Sequence, residues 1–139
     1  MQRVVFPIRS LREISGLVGS WHLDEGTGTN AEDTSGNGNN GTLTNNPTWT
    51  AGKYGQCLSF VRADSEYVVI GAPVPSALQV STAFTLEAWI NPISNGGANL
   101  YQIVGCQYDT GGNDGYTIFV DGRTTPAGKM HFQIGDDSA

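Results

Sequence analysis

The chain has 139 residues, of which 38% are hydrophobic and only 14% charged, with a formal charge of -6. That length suits one domain with a real core. The acidic balance argues against nucleic acid or an anionic membrane surface as the main partner, and no apolar run reaches the ~20 residues of a membrane-spanning helix.

Nineteen glycines, many Thr, Asn and Ser, and few charges describe an all-β chain rich in turns. Charge is uneven along it. Residues 1–15 hold Arg3, Arg9 and Arg12 against Glu13, whereas the remainder holds four basic and twelve acidic residues. Residues 1–15 read as an N-terminal arm: either a loosely attached leader or an assembly arm docking on an acidic surface. Pro7, Arg9 and Arg12 interrupt any apolar core of a secretory signal, so a signal is not expected within these residues. Cys57 and Cys106 form no C-x-x-C pair. They can be one disulfide or two buried thiols.

Residues 16–23, GLVGSWHL, alternate and predict a first strand. The run Asp33-Thr-Ser-Gly-Asn-Gly-Asn-Asn-Gly41 is too dense in turn formers for helix or strand and predicts a compact loop. Gly41–Thr44 predicts a short strand, Asn45-Asn46-Pro47 a turn, Gly55–Phe60 a strand and Glu66–Ile70 another, with a tight connection over 62–65. Residues 72–82, with Pro73 and Pro75, predict a loop holding one helical turn near Ser76–Leu78. Phe84-Thr-Leu-Glu-Ala-Trp-Ile90 has the clearest alternation and predicts a strand ended by Pro92. Leu100–Cys106, Gly115–Val120 and Lys129–Ile134 predict three more, separated by Gly-rich loops.

Several segments together resemble the laminin-G-like family, whose fold is a concanavalin A-like jelly roll. They are Gly16-Leu-Val-Gly-Ser-Trp-His-Leu-Asp-Glu-Gly-Thr-Gly28, Asp33–Leu43, Gly52-Lys-Tyr-Gly-Gln-Cys-Leu-Ser-Phe60, Tyr67-Val and Phe84–Ile90. The resemblance spans roughly residues 16–134 and implies an antiparallel two-sheet β-sandwich over 16–139. Two places depart from the pattern. Cys57 stands where a small residue is usual, and Val61-Arg-Ala-Asp-Ser65 replaces an Asp-Gly turn. Family members continue into further strands that this sequence lacks. An open sheet edge is therefore expected, covered by self-association or by a partner chain.

Asp33, Ser35 and Asn37 followed by Gly38 match the opening half of an EF-hand loop, but Thr44 stands where a bidentate Glu belongs. The resemblance implies a structural Ca²⁺ here, anchored by Asp33, with Asn37 and neighbouring carbonyls assisting and Asp24, Glu25 or Glu32 as reinforcement. The competing reading is that Asp33 and Ser35 bond the loop's own amides. Trp21 and Trp89, within strands, are expected in the core. Trp49 is the aromatic expected to be partly exposed, and such a face stacks on sugar rings while Asn and Asp bond hydroxyls. Tyr108, Asp109, Asn113 and Asp114, in the loop before Gly115, form the rest of the candidate ligand site, with a plain hairpin turn as the alternative.

No nucleophile triad is legible around His22 or His131. Glucanases sharing the fold need paired glutamates, and Glu87 stands alone on its predicted strand. The sequence therefore points to a non-enzymatic recognition or adhesion module for glycan or protein, extracellular or on a cell surface. The alternative is an assembly subunit of a surface fibre or a virus particle, and a glycoside hydrolase is the remote third.

Overall fold

The structure, a computed structural model, describes residues 16–80, 83–92, 100–107, 115–121 and 129–135. These residues are organised as strands, turns and two short 3₁₀ turns, and every strand pairing is antiparallel. The chain is thus all-β with antiparallel sheets, as the β-sandwich class requires. Among the described residues no helix is long and apolar enough to cross a membrane. Contacts divide the chain into two compact units, Met1–Pro75 and Ser76–Ala139.

In the first unit, β1 (Asn30–Ala31), β2 (Gly41–Thr44) and β5 (Tyr67–Ile70) form one sheet in the order β1-β2-β5. Side chains alternate across a strand, so one face carries Ala31, Gly41, Leu43, Val68 and Ile70. Ala31 and Leu43 on that face are buried. Burying a side chain such as Leu43 contributes roughly 1.5–3 kcal/mol. Gly41 is required by closeness: a Cβ there would stand 2.5 Å from Val68 Cγ1 and 3.3 Å from Ala31 Cβ. The opposite face holds Thr42, Thr44, Tyr67 and Val69, and both Tyr67 and Val69 are exposed.

β3 (Thr48–Ala51) and β4 (Gln56–Ser59) form a separate hairpin with Trp49 opposite Leu58. Asn45 and Asn46 make the turn before it, both at positive φ (63° and 64°), where asparagine is tolerated better than most residues. Arg62–Asp64 is a 3₁₀ turn closed by Ser65 in the left-handed region, and the Val61 amide donates to the Glu66 carboxylate.

In the second unit, the 3₁₀ turn Ser76–Leu78 precedes a sheet of β6 (Leu100–Gln107), β7 (Gly115–Asp121) and β8 (Lys129–Gly135), with β7 in the middle. Val120 and Asp121 on the central strand are buried. A register shift between Gln102 and Val104 interrupts the β6–β7 ladder, whereas β7 and β8 pair without interruption over seven residues.

Three expectations are corrected. Residues 16–23 form no strand; the backbone there is irregular, and Trp21 makes an isolated bridge to Asp33. Residues 84–90 alternate in sequence but join no ladder. Phe84 instead packs its ring against Tyr116 (5.0 Å between centroids) and edge-on against Phe132 (6.0 Å). Trp89, expected in the core, is 95% exposed. Two strands lie outside the predicted ones: the two-residue Asn30–Ala31, just before the loop that begins at Asp33, and Thr48–Ala51, which follows the turn formers Asn45-Asn46-Pro47. Cys57 and Cys106 are free thiols, each half-buried. The N-terminal arm lies outside the described residues.

Candidate functional site

The loop 33–41 is built around one carboxylate. Asp33 is buried, and its Oδ1 accepts from the amides of Ser20 (3.0 Å) and Ser35 (2.9 Å). Its Oδ2 accepts from the Asn39 amide (2.9 Å). The Asp33 amide in turn donates to Asn40 Oδ1 (2.9 Å). Burial alone would push this carboxyl up. The hydrogen bonds from Ser35, Ser20 and Asn39 together outweigh it and hold Asp33 below the ordinary carboxyl value.

The asparagines complete the loop by reaching back to the irregular segment before it. Asn37 Nδ2 donates to the carbonyls of Leu17 (2.9 Å) and Val18 (3.0 Å), and to Ser35 Oγ (3.1 Å). Asn39 Nδ2 also donates to Val18 O (3.0 Å), while the Trp21 indole N–H donates to Asn39 O (2.8 Å). Thr34 binds Ser20 O through both its amide (2.8 Å) and its hydroxyl (3.0 Å). Gly36 and Gly38, at φ 93° and 76°, let the backbone turn within this web.

The structure therefore brings Asp33, Ser35 and Asn37 together, as the sequence led one to expect. Their atoms do not fit a calcium ion as arranged. Calcium takes six to eight oxygens. Here both Asp33 oxygens face amide donors, Asn37 turns its NH₂ inward, and Ser35 Oγ accepts from the Asn37 amide (3.2 Å). Among the described residues no three acidic, His or Cys side chains gather in one place. Glu25 binds the Glu32 amide through Oε1 (2.7 Å). The arrangement matches the reading in which Asp33 and Ser35 bond the loop's own backbone.

Trp49, the first of the candidate ligand residues, is half-buried in β3, and its indole N–H donates to Gly28 O (2.9 Å). Its polar edge is thus tied to another loop of the same unit. Tyr108, Asp109, Asn113 and Asp114 lie outside the described residues. The hairpin tip between β3 and β4 presents Tyr54, 81% exposed, with the Lys53 ammonium 5.7 Å from its ring centroid.

Sequence reasoning missed two other features. His131 lies flat on Phe119 (5.1 Å between centroids, 4° between planes), with Nε2 4.0 Å from Oδ2 of the buried Asp121. That separation exceeds hydrogen-bond reach. Asp121 falls just past the predicted strand Gly115–Val120, and only its place at the end of β7 brings it to His131. The second is an apolar row on β8: Met130, Phe132 and Ile134 are 56%, 55% and 60% exposed. Alternation in the sequence placed them on one face but could not say that the face is open. Beside them lies a cavity of about 340 Å³ lined by Phe84, Thr85, Leu86, Ile118 and Phe132.

No family model and no curated protein matches the chain. Among solved structures it is similar to an S-layer domain-containing protein from Clostridium thermocellum, determined over its residues 221–444. The TM-score is 0.66 at 19% identity, over 85% of this chain. The chain spans about half (51%) of that structure's length. At this identity the likeness speaks to architecture alone: an all-β, antiparallel arrangement of strands shared with that protein.

Proposed function

We propose that the chain is a non-enzymatic recognition and adhesion module of laminin-G-like type, working at a cell surface by binding a protein or glycan. The observation that carries this reading is the distribution of side chains. Among the described residues of the first unit the most buried carboxylate, Asp33, is engaged by backbone amides, while large apolar and aromatic groups stand in solvent at Tyr54, Trp89, Met130, Phe132 and Ile134. Met130, Phe132 and Ile134 form one exposed apolar row on β8, and contiguous rows of this kind mark contact surfaces. A glycan array run in Ca²⁺ and in chelator, together with a pull-down from surface extracts, tests the proposal. Silence in both assays would remove it.

A second reading is favoured by the architectural likeness to an S-layer domain-containing protein and by the place of β8, outermost in its sheet among the described residues. In it the chain is a structural subunit whose ligand is its own assembly, in a surface fibre or a particle coat. Calcium has no role in either reading. The expected result is an unchanged melting temperature in calcium and in chelator.

A further inference from the structure

We infer that β8 is a homotypic assembly edge, pairing antiparallel with β8 of a second copy of this chain about a two-fold axis through Phe132. The inference rests on the assembly reading and names its surface. β8 is the outer strand of its sheet among the described residues, and its seven residues are in continuous register with β7. An outer strand offers a row of backbone donors and acceptors to another strand. The other outer strand, β6, carries a register shift between Gln102 and Val104, a feature that blunts an edge. In the first unit the strands are four residues long or shorter. Among the described residues β8 is therefore the long, regular edge, and its sole charged residue is Lys129 at one end.

The sequence of β8 is self-complementary in that register. With Phe132 on the axis, Phe132 meets Phe132, Met130 meets Ile134, His131 meets Gln133 and Lys129 meets Gly135. Every apolar residue opposes an apolar one and every polar side chain a polar one or glycine, and no like charges face each other. A two-fold interface needs this property, because the same patch serves both subunits. Aromatic cross-strand pairs are among the more favourable ones. The three apolar side chains more than half exposed on this strand are those the pairing would flank.

Light scattering on the 139-residue chain after size exclusion, over a range of concentrations, tests the inference. The expected mass is twice 14.7 kDa. Phe132→Lys, which places like charges against each other on the axis, should return the mass to a monomer with an unchanged far-ultraviolet spectrum. Phe132→Cys in a Cys57→Ser, Cys106→Ser background supplies an independent reading: mild oxidation should link two copies through residue 132, whereas His131→Cys in that background should link far less. A wild-type monomer at every concentration, or a dimer indifferent to both changes at residue 132, overturns the inference. So does a monomer that binds a different protein through β8. A monomer that still binds a glycan leaves the recognition reading standing; a β8-linked dimer that binds nothing on the array removes only that reading.

Discussion

Asp33 receives backbone N–H groups from three residues, one of them, Ser20, 13 positions away along the chain. Removing its charge leaves those buried donors facing a weaker or wrongly oriented partner. Asp33→Asn should therefore lower stability by roughly 2–4 kcal/mol in urea unfolding at pH 7. The carboxyl lies below its ordinary value of 3.8 in the folded chain. Its contribution is then fully present above the unfolded value and fades as pH falls through the folded one. Wild type should lose stability more steeply than Asp33→Asn on acidification below about pH 4. Equal slopes would mean that another group governs the acid limb. Asp33 and Ser35 were legible as a pair because the turn-former run has few ways to satisfy its amides. The long-range partners, Val18 and Ser20, were not, since local spacing carries no information about contacts 13 to 19 residues away.

At the scale of elements, the short strand Gly41–Thr44 was legible residue for residue, and Tyr67–Ile70 and β6 to β8 to within a residue or so. These are segments whose alternation is satisfied by a neighbour that the fold supplies. Residues 84–90 alternate equally well, yet a strand is a property of a pair, and among the described residues no ladder partner meets them. The predicted strand over 16–23 failed for a related reason: its carbonyls at Leu17, Val18 and Ser20 are claimed by the side chains of Thr34, Asn37 and Asn39. β3 was missed because Asn45-Asn46-Pro47 drew the whole stretch into a turn. Close pairing at Gly41 yields a sharp prediction for the β1-β2-β5 sheet. Gly41→Ala should cost about 1–3 kcal/mol, since the new methyl would press on Val68 within a packed face. A thermal melt at the wild-type temperature would show that the sheet yields more readily than its geometry implies.

Over the whole molecule, two compact units share a chain whose large apolar side chains are often in solvent. Such a surface is what a module built for contact would present, and the proposal stands or falls on binding and on mass. The candidate ligand residues from Tyr108 to Asp114 were chosen by loop chemistry and lie outside the described residues, so Trp49 alone of that set has a place, in a strand rather than on a free rim. The Asp33 web has a consequence for how the chain breathes. Amides in irregular backbone ordinarily trade their protons with solvent quickly, while ladder amides hold theirs until the structure opens. Those of Ser20, Ser35 and Asn39 belong to no strand, yet a buried acid holds all three. In deuterium they should retain their protons as long as those of β2, and should be released together by Asp33→Asn. Rapid, independent loss from each would mean that the three grips act singly.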